Sequence, residues 1–155
     1  MADAQVSYRW RNDPEIWAYT EFKPDHQISL KTEQDWLKKK LSNKNEQRFA
    51  ICLASNHRYI GNIQLLDIDS NAGSFHIFIG EKEFWGKGIA QQATRLILNY
   101  AFAELGLQQV ELEVNAANLA AIAVYKKMGF LNTGSNNNTG FVKMICTQKR
   151  STTNS

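Results

Sequence analysis

The sequence predicts an α+β fold, a mixed and mostly antiparallel sheet with helices packed over it. Three observations carry that prediction. Six short runs alternate apolar and polar residues with the period of two that suits strands. Longer stretches repeat their apolar residues every three or four positions, as amphipathic helices do. The order is helices, three strands, helix, strand, helix, two strands, which sets hairpins beside helical crossovers.

Asp3 stands where it could cap a short helix through Trp10, and Pro14, after Asp13, suits the first turn of a second. Thr32 followed by Asp35 resembles a capping box with the shorter acid. It opens a helix through Leu41 with Trp36, Leu37 and Leu41 on its apolar side. Phe49 to Leu53 and Tyr59 to Leu65 flank the polar Ser55-Asn56-His57-Arg58 and read as an antiparallel hairpin. Asn71-Ala72-Gly73 turns the chain into a strand from Phe75 to Ile79. From Ile89 the residues Ile89, Ala93, Leu96, Ile97, Tyr100 and Ala101 share one helical face, and Gly106 stops that helix. Val110 to Val114 is an alternating strand, and a helix through Leu119, Ile122, Ala123 and Met128 ends at Gly129. Leu131 to Gly134 and Phe141 to Thr147 close the chain as a strand pair around an Asn-rich turn at 136–140.

The chain has 155 residues, 43% hydrophobic and 21% charged. A chain of this size buries roughly two-thirds of its unfolded surface, enough for a full core without staples. Residues 1–147 read as one domain and 148–155 as a polar tail. Cys52 and Cys146 are too few for a disulfide framework, cannot alone build a metal site, and read as buried, inert thiols. The net charge of +3 is scattered, which argues against nucleic acid. No run approaches the ~20 apolar residues of a membrane helix, and no export signal opens the chain. The expectation is a soluble cytoplasmic protein, in which the Asn137-Asn138-Thr139 glycosylation match is chance.

Chemistry concentrates in Trp85-Gly86-Lys87-Gly88-Ile89-Ala90, between a strand and a long helix. A glycine-rich turn opening a helix leaves the first N–H groups unpaired, with the positive end of the helix dipole behind them. Gly86 and Gly88 permit unusual backbone angles and close approach, small Ala90 lets the helix start near the strand, and Lys87 adds a charge. Such a loop suits a phosphate or pyrophosphate. A Walker A loop is excluded, because five residues separate Gly80 from Gly86 and Gly88 follows Lys87. A Rossmann fingerprint is excluded too, since Gln91 stands where the third glycine belongs. A tight turn with no ligand remains the alternative on this loop alone.

A second motif runs from Asn115 to Phe130. With the loop before it, the sequence resembles the GNAT superfamily of acetyl-CoA-dependent N-acetyltransferases. The pattern is Arg/Gln-x-x-Gly-x-Gly/Ala, then helix, strand, and Asn-x-x-Ala-x-x-x-Tyr-x-Lys-x-Gly-Phe. Asn118, Ala121, Tyr125, Lys127, Gly129 and Phe130 meet its second part; Gly88 and Ala90 meet its first, with Trp85 at the Arg/Gln position. Trp-Gly-Lys-Gly, Trp10-Arg11-Asn12-Asp13-Pro14, Gly61-Asn62-Ile63 and Ile79-Gly80 resemble the branch with ribosomal-protein N-terminal, spermidine and amino-sugar acetyltransferases, and Ile28 to Thr32 leans toward amino sugars.

The resemblance implies a GNAT-like sheet whose first strand is missing or truncated, leaving an edge that a homodimer could cover. It implies acetyl-CoA as donor and a small-molecule or peptide amine as acceptor, with no metal. Residues 85–90 (Trp85, Gly86, Lys87, Gly88, Ile89, Ala90) would hold the CoA pyrophosphate. The backbone of Ile77, Phe78 and Ile79 would pair with the pantetheine arm, Asn118 would bond the cofactor near its reactive end, and Lys127 would reach a CoA phosphate. Tyr125 would protonate the departing thiolate. Relatives often carry a base at the position of Ser74; here His76, Glu81, Glu83 or a water chain are the alternatives. Trp17, Tyr19, Glu21 and Phe22, with Asp25 and His26, would form the acceptor pocket facing the Asn-rich turn. Against these roles stand simpler ones: Asn118 as a helix cap, Tyr125 and His76 as packing residues, Lys127 as a solvated side chain. A CoA-binding sensor without catalysis and a purely structural domain are the rival functions.

Overall fold

The computed structural model describes residues 2–20, 25–136 and 138–149. Two helices, α1 (Ala4–Arg11) and α2 (Leu30–Leu41), lead into β1 (Gln47–Cys52), β2 (Tyr59–Leu66) and β3 (Ala72–Ile79). A single 3₁₀ turn (Lys82–Phe84) precedes α3 (Ile89–Asn99), which widens into a π turn (Tyr100–Glu104). Then come β4 (Gln109–Asn115), α4 (Leu119–Lys127), β5 (Leu131–Asn136) and β6 (Phe141–Thr147). The sheet order is β1-β2-β3-β4-β6-β5, antiparallel except for β3 against β4. Among the described residues β1 is therefore an edge of the sheet.

The alternation of the strands sorts the two faces. Ile63, Leu65, Phe75, Val110, Leu112, Val114 and Met144 point to one face, where they join Ile97 and Leu98 of α3, Ala101 of the π turn, Phe130 after α4, and the inner side of α4. Each such large side chain contributes roughly 1.5–3 kcal/mol by leaving water. α1 and α2 cover part of the opposite face. There Trp10 packs on Tyr59 at 4.8 Å and edge-on to Phe78 at 5.8 Å. Gly80 makes this possible, because a Cβ there would sit 2.0 Å from the Trp10 ring.

Several expectations change. Asp3 is itself helical and its side chain caps nothing. The segment from Pro14 forms successive turns rather than a helix, closed by bonds from Ile16 to Asp13, Ala18 to Glu15 and Thr20 to Trp17. The Trp17 indole N–H donates to the Trp10 carbonyl at 2.8 Å and ties these turns to α1. α2 opens two residues before Thr32: the Ser29 hydroxyl accepts the Thr32 amide at 3.1 Å, so Ser29 is the cap. Its inward residue is Glu33, and Leu41 is 59% exposed. On α3 the buried stripe is Thr94, Ile97 and Leu98, leaving Leu96 70% exposed. Ala72 and Gly73 already belong to β3, and the turn before them is held by Asp69 Oδ1, which accepts the amides of Asn71 and Ala72. Cys146 is buried, as expected, but Cys52 is exposed on the edge strand. Glu21, Phe22, Asn137 and the tail from Arg150 lie outside the described residues.

Candidate functional site

The sheet opens between β3 and β4. The two strands pair only over Ala72–Ser74 against Gln109–Glu111, while β3 stays paired to β2 as far as Ile79. The hydrogen-bond phase decides which groups face the opening. The Gly80 amide donates to the Ile60 carbonyl at 2.8 Å, which makes Phe78–Asn62 and His76–Gln64 bonded pairs of the ladder by alternation. The main chains of Ile77 and Ile79 therefore point into the opening, and that of Phe78 is turned to β2. On the far side the Gln148 amide donates to Gln108, so Glu113 and Asn115 turn their main chains toward β3. Of the three residues expected to lend backbone groups, only Ile77 and Ile79 can. The Ile79 carbonyl also accepts the Trp85 indole N–H at 2.8 Å, which ties the next loop to the end of β3.

That loop is open. Gly86 and Gly88 have φ of 72° and 77°, left-handed values that suit glycine, and nothing approaches the place of their missing Cβ atoms. The first helical bond of α3 runs from Gln92 to the Gly88 carbonyl. The amides of 86–91 meet no acceptor among the described residues, so they gather at the positive end of an eleven-residue helix. Lys87 places its ammonium 5.4 Å from the Phe84 ring centre, beside the loop.

α4 supplies the other wall. The Asn118 side-chain oxygen accepts the Ala121 amide at 3.3 Å and caps the helix, while its residue lines the cleft. Two turns on from Asn118, Tyr125 packs edge-on against Phe75 and Phe130, each 5.8 Å away. Its burial pushes the phenol up to about 12. No hydrogen bond holds its hydroxyl among the described residues. Lys127 is exposed on the outer side of α4 and does not line the cleft.

These walls enclose one cleft of about 1370 Å³ that continues under α1 and α2. Trp17 and Tyr19 line it there, the Trp17 ring packing at a tilt on Phe78 with centroids 5.2 Å apart. Asp25 and His26 are exposed and contact each other. His76 lies on the floor, its Nε2 3.3 Å from the Ser74 hydroxyl. Partial burial, then the Arg48 charge, holds this imidazole below its ordinary pKa. Sequence reasoning missed Arg48 and Gln64, which stand in register with His76 across β1, β2 and β3, and Trp36 above them. Their signal is the strand period itself, since all three strand residues occupy the face opposite the core.

The combination defines a class: an α+β protein whose sheet splits beside a glycine-rich, amide-presenting helix start. Residues 1–131 match the family described as Acetyltransferase (GNAT) domain, and the chain belongs to that family. Among curated proteins it is 37% identical over 97 residues to the probable N-acetyltransferase YjcK of Bacillus subtilis, covering 61% of this chain and 54% of that one. It is 32% identical over 98 residues to spermidine N(1)-acetyltransferase of Escherichia coli K12, covering 62% and 51%. The match thus spans about half the length of these two relatives. Among solved structures it shares its fold with spermidine N-acetyltransferase of Vibrio cholerae in complex with CoA and spermine. The TM-score is 0.83 at 24% identity, over 95% of this chain and 90% of that one. N-acetyltransferase PseH of Campylobacter jejuni in complex with acetyl coenzyme A aligns with a TM-score of 0.74 at 18% identity, over 96% and 92%.

Proposed function

We propose that this protein transfers an acetyl group from acetyl-CoA directly to a primary amine held in the same cleft. The observation that carries this is the meeting of three features in one space: unpaired amides at the start of α3, the open edge of β3, and the buried phenol of Tyr125. In this reading the amides of 86–90 take the CoA pyrophosphate, with Trp85 and Lys87 beside it. Ile77 and Ile79 pair with the amides of the pantetheine arm as an added strand would. Asn118 stands near the reactive end. The CoA-bound structures among the relatives support this donor, and their names support an amine acceptor.

The chemistry follows from the groups present. The amine must be neutral, so His76, held in its neutral form, takes its proton directly or through water. The nitrogen lone pair then attacks the thioester carbonyl, and the tetrahedral intermediate collapses as the carbon–sulfur bond breaks. Tyr125 delivers its proton to the sulfur, and the proton that the nitrogen sheds as the amide forms passes through water to restore the phenol. The burial that raises the phenol also raises the basicity of a thiolate leaving into the same apolar wall, which keeps the transfer feasible. Trp17 and Tyr19 line the acceptor end, where the amine would enter. We further propose that the open edge of β1 pairs with a second copy; light scattering at several concentrations is expected to give a dimer, and a strict monomer would refute that.

Thiol release from acetyl-CoA with a panel of amines, alongside calorimetry with CoA, tests the activity. Binding with turnover is expected. Binding without turnover across the panel would leave a CoA sensor, and no binding would remove both readings.

A further inference from the structure

Three cations line the acceptor end of the cleft. Arg11 of α1 and Arg48 of β1 lie against the same indole, that of Trp36, at 4.0 and 5.1 Å from its centre. Lys40 of α2 lines the same region. Each cation is held by a carboxylate that does not line the cleft. Glu46 takes Arg48 at 2.7 Å and Lys40 at 3.6 Å, and Glu33 takes Arg11 at 3.2 Å; these carboxylates are only 8% and 3% exposed. Three cations less two carboxylates leaves one positive charge, with the negative groups facing away. Of the carboxylates that do line the cleft, Glu15 is held by Lys82 at 2.5 Å, Asp3 precedes α1, and Glu113 lies on β4, where its charge acts on His76 rather than on Arg48.

Arg48 also keeps donors in reserve. Its five N–H groups spend three, on Glu46 through Nε and one Nη and on Gln64 through the other Nη at 2.6 Å. A polyamine would bring positive charge beside Arg48 and Lys40, whose shared carboxylate partner, Glu46, does not line the cleft. An anion would meet desolvated guanidinium groups, which form the stronger charge-assisted bonds. We infer that the acceptor amine carries an anionic group, phosphate or carboxylate, that docks on Arg48 and Lys40 while the amine reaches His76. Arg48, Gln64 and His76 are in register across three strands, so about 10 Å of sheet separates the two ends. That distance suits a spacer of about one sugar ring. The inference rests on the acetyl-transfer reading for its amine, but not for its anion.

The test uses the CoA-loaded protein and four probes: glucosamine, glucosamine 6-phosphate, glucosaminate and spermidine. Tryptophan fluorescence reads binding and thiol release reads turnover. One anionic probe is expected to bind at least about tenfold tighter than glucosamine, with spermidine weakest. Which of the two leads decides between phosphate and carboxylate. The preference is expected to shrink several-fold in Lys40→Gln, and in the double variant Glu46→Gln/Arg48→Gln, which removes the cation with its counter-ion and strands no buried charge. Spermidine binding as well as the anionic probes, a preference intact in both variants, or no binding by any probe would overturn the inference. Anionic preference without thiol release would uphold this site and refute acetyl transfer; equal turnover of glucosamine and spermidine would do the reverse.

Discussion

Tyr125 owes its chemistry to what surrounds it. Phe75 and Phe130 fix the ring by edge contacts, no partner among the described residues holds the hydroxyl, and burial keeps the proton on. Removing only the oxygen leaves this packing in place. Tyr125→Phe is therefore expected to lower kcat by about 10²-fold, the usual weight of a positioned proton donor, with CoA affinity by calorimetry within about twofold of the parent. An unchanged kcat would take Tyr125 out of its role. His76 makes a separate prediction, with a sign. The base works as neutral imidazole, and burial with the nearby Arg48 charge lowers its pKa from the ordinary 6.5. Activity is then retained down through pH 6.5 and lost only as the pH falls through that lowered value. In His76→Gln the acidic limb of kcat/KM is expected to vanish or to move. A limb that stays in place would assign it to another group.

At the scale of elements, the glycine loop makes the clearest case for sequence legibility. Gly86, Gly88 and the cap of α4 were readable because their backbone needs, left-handed angles and an Asn cap, are local. The same locality misled at α2, where Ser29 and Thr32 both suit a cap and only the tertiary entry of the chain at Ile28, pinned by Asn12, selects the earlier one. Leu96 and Leu41 fit the helical period yet remain exposed, because the faces that α3 and α2 present are set by the sheet. Arg48 and Gln64 looked like ordinary outward strand residues; only the strand order reveals that α2 roofs them into a cleft. For the loop itself, Gly88→Ala strains a residue at φ 77° with no clash. A stability loss of about 1 kcal/mol by denaturant titration is expected from the left-handed backbone alone. CoA affinity is expected to fall further, by about tenfold, because the open space a new Cβ enters is where the phosphates would lie. A stability loss with unaltered CoA binding would separate the loop from the donor.

For the whole molecule the decisive feature is that β3 changes partner along its length, from β4 at its start to β2 over the rest. Ala72 to Ser74 pair with β4 and Ser74 to Ile79 pair with β2, so only Ser74 has both neighbours. The anchors of this split are spread through the chain. Gly80 closes on Trp10 from α1, Trp85 bonds back to Ile79, and Asn115 bonds the turn that starts α4 on the other side. Trp10, Gly80 and Asn115 lie far apart in sequence, which is why the opening itself could be expected only from resemblance. Its phase yields a prediction that needs no turnover. Phe78 already donates into the β2 ladder, whereas the amides of Ile77 and Ile79 face the gap. Residue-resolved hydrogen exchange of the free protein is expected to show Phe78 protected and Ile77 and Ile79 exchanging faster. Saturating CoA is expected to slow those two by more than the general stabilisation that ligand binding gives every amide, about 2.7 kcal/mol at a hundredfold excess over Kd. Equal protection of all three before CoA is added would mean that the strands do not part there. Slowing confined to Phe78 would reverse the phase from which the donor site is built.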